Sequence, residues 1–172
     1  DAEFYMGTES HRSGADNSVF AARVRWSVPN RIADVASYRR IVVLGDSITK
    51  GVRAGVTEAE TFGSLLQRSL RKAGHDVEVI NQGIGGERTD QALARLNRDI
   101  LSLEPEIVIV MYGTNDSYVD QGQQRCRITA TEYRQNLEKI VADLRRVGIQ
   151  PILMTEPRWG DKAGLNGVGE HP

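Results

Sequence analysis

The chain has 172 residues, of which 40% are hydrophobic and 26% are charged, a composition typical of one globular domain. A net charge of -1 argues against binding to nucleic acid or to an anionic membrane, and no apolar run is long enough to span a bilayer. The single cysteine, Cys126, excludes an internal disulfide and a zinc site built from several cysteines.

The amino-terminal part of the sequence has no strong hydrophobic period, and we treat 1–38 as an extension that precedes a domain at 39–172. Residues 19–28 are β-prone, and they form either an extra edge strand or a strand of a preceding module. The chain opens at Asp1 without a signal-peptide pattern, a start that we interpret as processed. The cellular location stays open, with export slightly favoured over the cytoplasm.

From Arg40 onward, short apolar runs alternate with stretches of helical period. The runs predict four strands, at 41–44, 77–80, 107–111 and 151–155. Two capping boxes predict helix starts, one pairing Thr57 with Glu60 and one pairing Thr129 with Glu132. Another helix is expected to start at Thr89 or Asp90, and two helices are expected to end at Gly74 and Gly148.

This alternation, with strands that are apolar throughout, predicts a parallel sheet covered by helices on both faces. Three unusual loops follow successive strands: the first loop at 45–47, the second loop at 83–88 and the third loop at 113–116. Ligands bind such sheets at the carboxyl ends of the strands. We therefore expect the three loops to meet at the edge where chemistry takes place.

Ser47 ends a buried strand and is the candidate nucleophile, provided that a base can reach its hydroxyl. Gly86 could supply a backbone N–H, and Asn115 a side-chain amide, to stabilise an oxyanion. Each residue also has a non-catalytic interpretation. Ser47 could simply cap a turn, Gly86 could lie in a flexible turn and Asn115 could form an Asx turn. The occurrence of all three at strand ends favours catalysis.

Three other functional motifs are absent, because the sequence lacks residues that each of them requires. A Rossmann fingerprint would need glycine at position 88, where the chain has Arg88, and no Gly-Lys-Ser or Gly-Lys-Thr closes a phosphate-binding loop. The nucleophile elbow would need glycine at position 49, which is Thr49. Dinucleotide binding and an elbow-type hydrolase are therefore disfavoured.

The three loops resemble conserved blocks of the SGNH (GDSL-type) hydrolase superfamily. Gly45-Asp46-Ser47-Ile48 resembles the first block, with Ile48 in place of the usual Leu, and 113–116 resembles the third. In 81–86, which resembles the second block, Gly86 matches the oxyanion glycine and Gly83 is the alternative. The resemblance runs from about residue 40 to 156. It implies a flavodoxin-like three-layer α/β/α sandwich and a serine esterase or lipase that needs no metal or other cofactor.

The last block of that family, Asp-x-x-His, which supplies the base, has no match here. The histidines are His11, His75 and His171; His75 starts the second strand, at the edge opposite Ser47, and His171 lies in a turn-rich tail that could fold back. We interpret the chain as lacking the last strand and helix of the fold. A missing carboxyl-terminal segment or a second polypeptide would then complete the domain.

The expected function is hydrolysis of O-acyl esters, including acetyl esters of carbohydrates, through an acyl-enzyme. Ser47, Gly86 and Asn115 are the predicted catalytic residues, and the predicted substrate-side residues are Asp46, Gly83, Arg158 and Trp159, with Asp46 expected mainly to order its loop. The main alternative is a non-catalytic binding domain that has lost its base. A flavin or nucleotide binder is disfavoured by Ser47 and Asn115.

Overall fold

The computed structural model of the chain describes residues 38–51 and 55–157. A parallel sheet in the order β2-β1-β3-β4 is formed by β1 (Arg40–Gly45), β2 (Glu78–Gly83), β3 (Ile107–Met111) and β4 (Gln150–Leu153). The α-helices are α1 (Ser47–Lys50), α2 (Phe62–Lys72), α3 (Thr89–Arg95) and α4 (Ala130–Arg146). The sequence predictions for 1–37, Arg158, Trp159 and His171 lie outside the described residues.

Side chains along the central strands alternate between two hydrophobic cores, as the period of a β-strand requires. On one face, Val42 and Val108 pack in a cluster with α3 and α4, to which Ile140 belongs. On the other face, Ile41 and Val43 pack with residues of α2. The predicted α/β fold, with a parallel sheet between helix layers, is confirmed.

The helix expected at Thr57 begins later than the capping box indicates. Thr57 and Glu60 do form the box, with the Glu60 carboxylate accepting from the Thr57 N–H at 2.9 Å, but it caps a 3-10 turn at Glu58–Glu60. Thr61 has extended backbone angles, and its side chain accepts from the Ser64 N–H at the start of α2. The extended residue interrupts the helical path. The helix ends at Gly74 and Gly148 agree with the left-handed φ of +90° and +82° there.

Other boundaries also differ from those expected. β2 continues through Gly83, which pairs with Gly45, so backbone pairing extends into residues whose polar side chains suggested a loop. Neither Thr89 nor Asp90 caps α3; Arg88 is the N-cap, and Thr89 is the first helical residue. Strand β4 ends at Leu153 rather than 155.

Candidate active site

The three loops meet at the carboxyl edge of the sheet. Gly45, at the end of β1, pairs with Gly83 of β2 on one side and with Met111 of β3 on the other. The Ile84 N–H donates to the Gly45 carbonyl oxygen at 3.0 Å, and the Asn115 amide reaches Asp46 at 2.8 Å. The structure therefore brings the first, second and third loops into one cluster.

Asp46 fixes the start of the helix that carries the candidate nucleophile. It is the N-cap of α1 and is fully buried, and its Oδ1 accepts from the Ile48 N–H at 2.8 Å. Ser47 follows as the first helical residue and is exposed. In the first turn of a helix the backbone N–H has no intrahelical acceptor, so the Ser47 N–H is available to a ligand.

Asn115 joins the first and second loops through its side-chain amide. Nδ2 donates to Asp46 Oδ2 at 2.8 Å and to the Glu87 carbonyl oxygen at 3.1 Å, which uses both of its hydrogen atoms. To donate to a substrate oxyanion, the amide would share or exchange one of these acceptors.

Gly86, in the second loop, is exposed and has a left-handed φ of +76°, a conformation that glycine adopts readily.

Gly83 is packed against the backbone of the helix that carries Ser47. A Cβ atom at this position would lie 2.2 Å from the Lys50 nitrogen and 2.6 Å from its Cα. The Gly83 N–H donates to Asn81 Oδ1 at 2.9 Å, and Asn81 Nδ2 in turn donates to the Thr49 carbonyl oxygen at 3.0 Å. Close packing is thus a sufficient reason for glycine here, while its predicted contact with substrate stays a prediction.

Replacing Gly83 with Ala should destabilise the protein by about 1–3 kcal/mol, because the new methyl group would have to displace the α1 backbone. Chemical denaturation measures the change. Gly85→Ala is the matched control, since a Cβ there meets no atom within 4 Å and its φ is not in the left-handed region. Equal stability of the two variants would contradict the packing role of Gly83.

A buried ion pair between Arg95 and Glu87 stabilises the second loop. The Arg95 guanidinium contacts both carboxylate oxygens of Glu87 at 2.6 Å and also donates to the Gln82 carbonyl oxygen at 2.6 Å. The Tyr112 hydroxyl donates to Glu87 at 2.5 Å. Burial and the neighbouring Glu87 carboxylate raise the pKa of Tyr112, so its hydroxyl stays protonated. This cluster holds Glu87, whose carbonyl oxygen positions Asn115.

The third loop is anchored by its last residue. Asp116 is fully buried, and its Oδ1 accepts from the N–H of Thr89 at 3.0 Å and also from the Thr89 hydroxyl. Asn136 of α4 donates to that hydroxyl at 3.0 Å. Burial raises the pKa of Asp116, against the lowering effect of its Thr89 hydrogen bonds. The loop is thereby tied to both helices of one layer.

Glu156 is a site residue that the sequence reasoning missed. It follows β4, is mostly buried, and its Oε2 accepts from both the N–H and the hydroxyl of Thr114. The available signal was a carboxylate placed shortly after a strand end, at the same edge of the sheet as Ser47.

Of the three histidines in the chain, the structure describes His75 alone. Its N–H donates to the Leu70 carbonyl oxygen just after α2, and it precedes β2. Since β1 and β2 run parallel, His75 lies at the edge opposite Ser47, as predicted. His11 and His171 lie outside the described residues.

Over residues 38–51 and 55–157, no group of three or more His, Cys, Asp or Glu side chains could hold a metal ion, and no helix is long and apolar enough to cross a membrane.

A sequence model of the GDSL-like lipase/acylhydrolase family matches residues 43–170. An uncharacterized lipoprotein of Bacillus subtilis is 31% identical over 121 residues, which cover 69% of this chain and 48% of that protein. An arylesterase of Vibrio mimicus is 30% identical over 126 residues, covering 72% and 58%. An acetylxylan esterase of Geobacillus stearothermophilus is 27% identical over 135 residues, covering 70% and 61%.

Solved structures are similar as well. The SGNH-hydrolase family esterase AlinE4 superposes with a TM-score of 0.56 at 32% identity, covering 68% of this chain and 58% of AlinE4. The chain spans about half to three fifths of the length of the curated relatives named above. The family model spans the three loops at the carboxyl edge of the sheet.

Proposed function

Because this chain belongs to the GDSL-like lipase/acylhydrolase family, we propose that it is a serine hydrolase that cleaves O-acyl esters through an acyl-enzyme. The observation that carries the proposal is the exposed Ser47 hydroxyl at the carboxyl edge of the sheet, in one cluster of loops with Gly86 and Asn115. The arylesterase and acetylxylan esterase among its relatives support an ester substrate.

In this mechanism Ser47 Oγ attacks the carbonyl carbon of the ester and gives its proton to a base outside the described residues. The N–H groups of Ser47 and Gly86 and the amide of Asn115 stabilise the negative charge on the carbonyl oxygen. The alcohol then leaves with the proton, and water hydrolyses the acyl-enzyme by the same steps. A histidine is the expected base.

The proposed substrates are small or carbohydrate acyl esters, with acetylated carbohydrates favoured by the acetylxylan esterase relative. Arg158 and Trp159 stay predictions for substrate contact. We also propose that the protein is exported, which the lipoprotein among its relatives supports.

The proposal is tested by assaying p-nitrophenyl esters of increasing acyl length beside acetylated xylo-oligosaccharides, and by labelling with a fluorophosphonate. Turnover with labelling of a serine would support a serine hydrolase, and preference for acetylated sugars would support the carbohydrate substrate. A full-length protein that binds these esters without hydrolysing them, and that takes no label, would contradict the proposal.

Asn115→Ala should lower kcat by about 10²- to 10³-fold and change KM little, because an oxyanion donor acts mainly in the transition state. Steady-state hydrolysis of p-nitrophenyl acetate measures both constants. Asn97→Ala removes the same side chain from an exposed position and is expected to keep wild-type kcat. A variant at position 115 with kcat within a few-fold of wild type would rule out the role of Asn115 as a donor.

A further inference from the structure

Two carboxyl groups, those of Asp46 and Glu156, contact the third loop at the proposed active site. Asp46 is fully buried, and both of its oxygens accept hydrogen bonds, from Ile48 and from Asn115. The charge of Asp46 contributes to the raised pKa of Glu156, which places the two carboxyl groups near each other. The mechanism proposed above makes no use of Glu156, so its place in the cluster requires an explanation.

One carboxyl oxygen of Glu156 lacks the hydrogen-bond partner that an ionised carboxylate needs in a buried position. Its Oε2 accepts two hydrogen bonds from Thr114, whereas its Oε1 is buried and has no hydrogen-bond partner in the described part of the chain. Two adjacent ionised carboxylates would repel each other in this buried position. A single proton between Glu156 and Asp46 converts the repulsion into a hydrogen bond.

The electrostatic surroundings agree with this geometry. Burial raises the pKa of Glu156 to about 8; the hydrogen bond from Thr114 opposes the shift, and the charge of Asp46 adds to it. Among the described residues, Tyr133 lies near Glu156, and Asp116 lies near Tyr133. Burial and the charges of Asp116 and Glu156 raise the pKa of Tyr133, so its hydroxyl stays neutral, and burial raises that of Asp116.

We propose that Glu156, protonated between Thr114 and Asp46, is a positioning residue of the ester-hydrolase site, and that the site loses activity when this proton leaves. The inference rests on the proposed function and names how that site is regulated. Glu156 acts through Thr114, whose neighbour Asn115 is the proposed oxyanion donor. It joins the segment after β4 to the third loop across 42 residues of sequence.

The protonated form also limits the negative charge near the reacting oxygen. When Glu156 is neutral, the negative charge beside Asn115 is that of Asp46, which accepts a hydrogen bond from the Asn115 amide. Release of the Glu156 proton to solvent adds a second charge close to Asp46. This second charge opposes the growth of negative charge on the ester oxygen and weakens the contact that orders the first and third loops.

The test measures kcat and KM for p-nitrophenyl acetate from about pH 6 to pH 9.5 on the full-length protein, with buffer hydrolysis subtracted. The carboxyl group is neutral below a pH of about 8 and charged above it, so wild-type kcat should fall as the pH rises through about 8. Glu156→Gln keeps the acceptor for Thr114 and supplies N–H donors toward Asp46 at every pH. It should retain neutral-pH kcat within a few-fold and lack the alkaline fall.

Glu156→Ala should lower kcat at neutral pH by about ten- to a hundredfold with little change in KM, because a misplaced catalytic group mainly slows the chemical step. Activity that is retained in Glu156→Gln but lost in Glu156→Ala would show that hydrogen bonding by the side chain positions the site. An active wild type whose alkaline fall is unchanged in Glu156→Gln would overturn this inference alone. A wild type that neither hydrolyses esters nor takes a fluorophosphonate label would overturn the proposed function as well.

Discussion

Replacing Ser47 with Ala is expected to abolish ester hydrolysis and fluorophosphonate labelling together. The hydroxyl of Ser47 is the proposed attacking group, and loss of the nucleophile from a serine hydrolase lowers kcat by about 10⁴-fold or more. The fold should be unaffected, because this side chain is exposed and the start of α1 is held by Asp46 instead. Rates and labelling of the purified variant measure the effect.

Ser69→Ala provides the control, since Ser69 is an exposed serine of α2. It should hydrolyse p-nitrophenyl acetate and take the label as the wild type does. If Ser47→Ala kept the label on another serine together with full activity, the nucleophile would have to lie elsewhere in the chain. The exposed hydroxyl at the strand end would then be no more than part of a helix start.

Arg95→Met is expected to cause the largest loss of stability, about 3–5 kcal/mol in the free energy of unfolding. The side chain of Arg95 is 6% exposed and faces Glu87, which is 5% exposed. Methionine fills much of the same volume but leaves the Glu87 carboxylate buried without its cation. Urea unfolding measures the difference from wild type.

The neighbouring exposed pair gives a matched control for this substitution. Arg98 bonds to Asp99 but is 79% exposed, so Arg98→Met should change the free energy of unfolding by less than about 1 kcal/mol. A second variant, Arg95→Met with Glu87→Gln, removes the unpaired charge and should recover part of the loss. If Arg95→Met and Arg98→Met were equally stable, the buried pair would have no special role.

Much of the fold followed from the sequence because the relevant signals are local. The apolar run before Gly45 predicted β1, and Gly148 predicted the end of α4. The end of β2 was not predictable in the same way, since pairing of its polar residues with β1 depends on backbone hydrogen bonds to a distant segment. The start of α2 was missed because a local capping box formed one turn too early, before the extended Thr61.

In the candidate site too, the sequence predicted residue positions better than it predicted long-range contacts. The positions of Ser47 and Asn115 could be predicted because parallel strands end at one edge of the sheet. Their contacts could not, since Asp46 and Asn115 are 69 residues apart in sequence. Glu156 belongs to no loop with a recognisable pattern, and its proposed role depends on burial and on a second carboxyl group, which only the folded chain shows.

The four-residue helix α1 depends on neighbouring segments for its stability. A single turn is not stable by itself in water, so neighbouring segments hold α1 in shape. Asn81 of β2 binds the carbonyl oxygens of Thr49 and Lys50, and the backbone of Gly83 packs against Lys50. Ser47 therefore belongs to the same cooperative unit as the β1–β2 pair. A partial unfolding that releases β2 would remove Ser47, the proposed nucleophile, from its position in the same event.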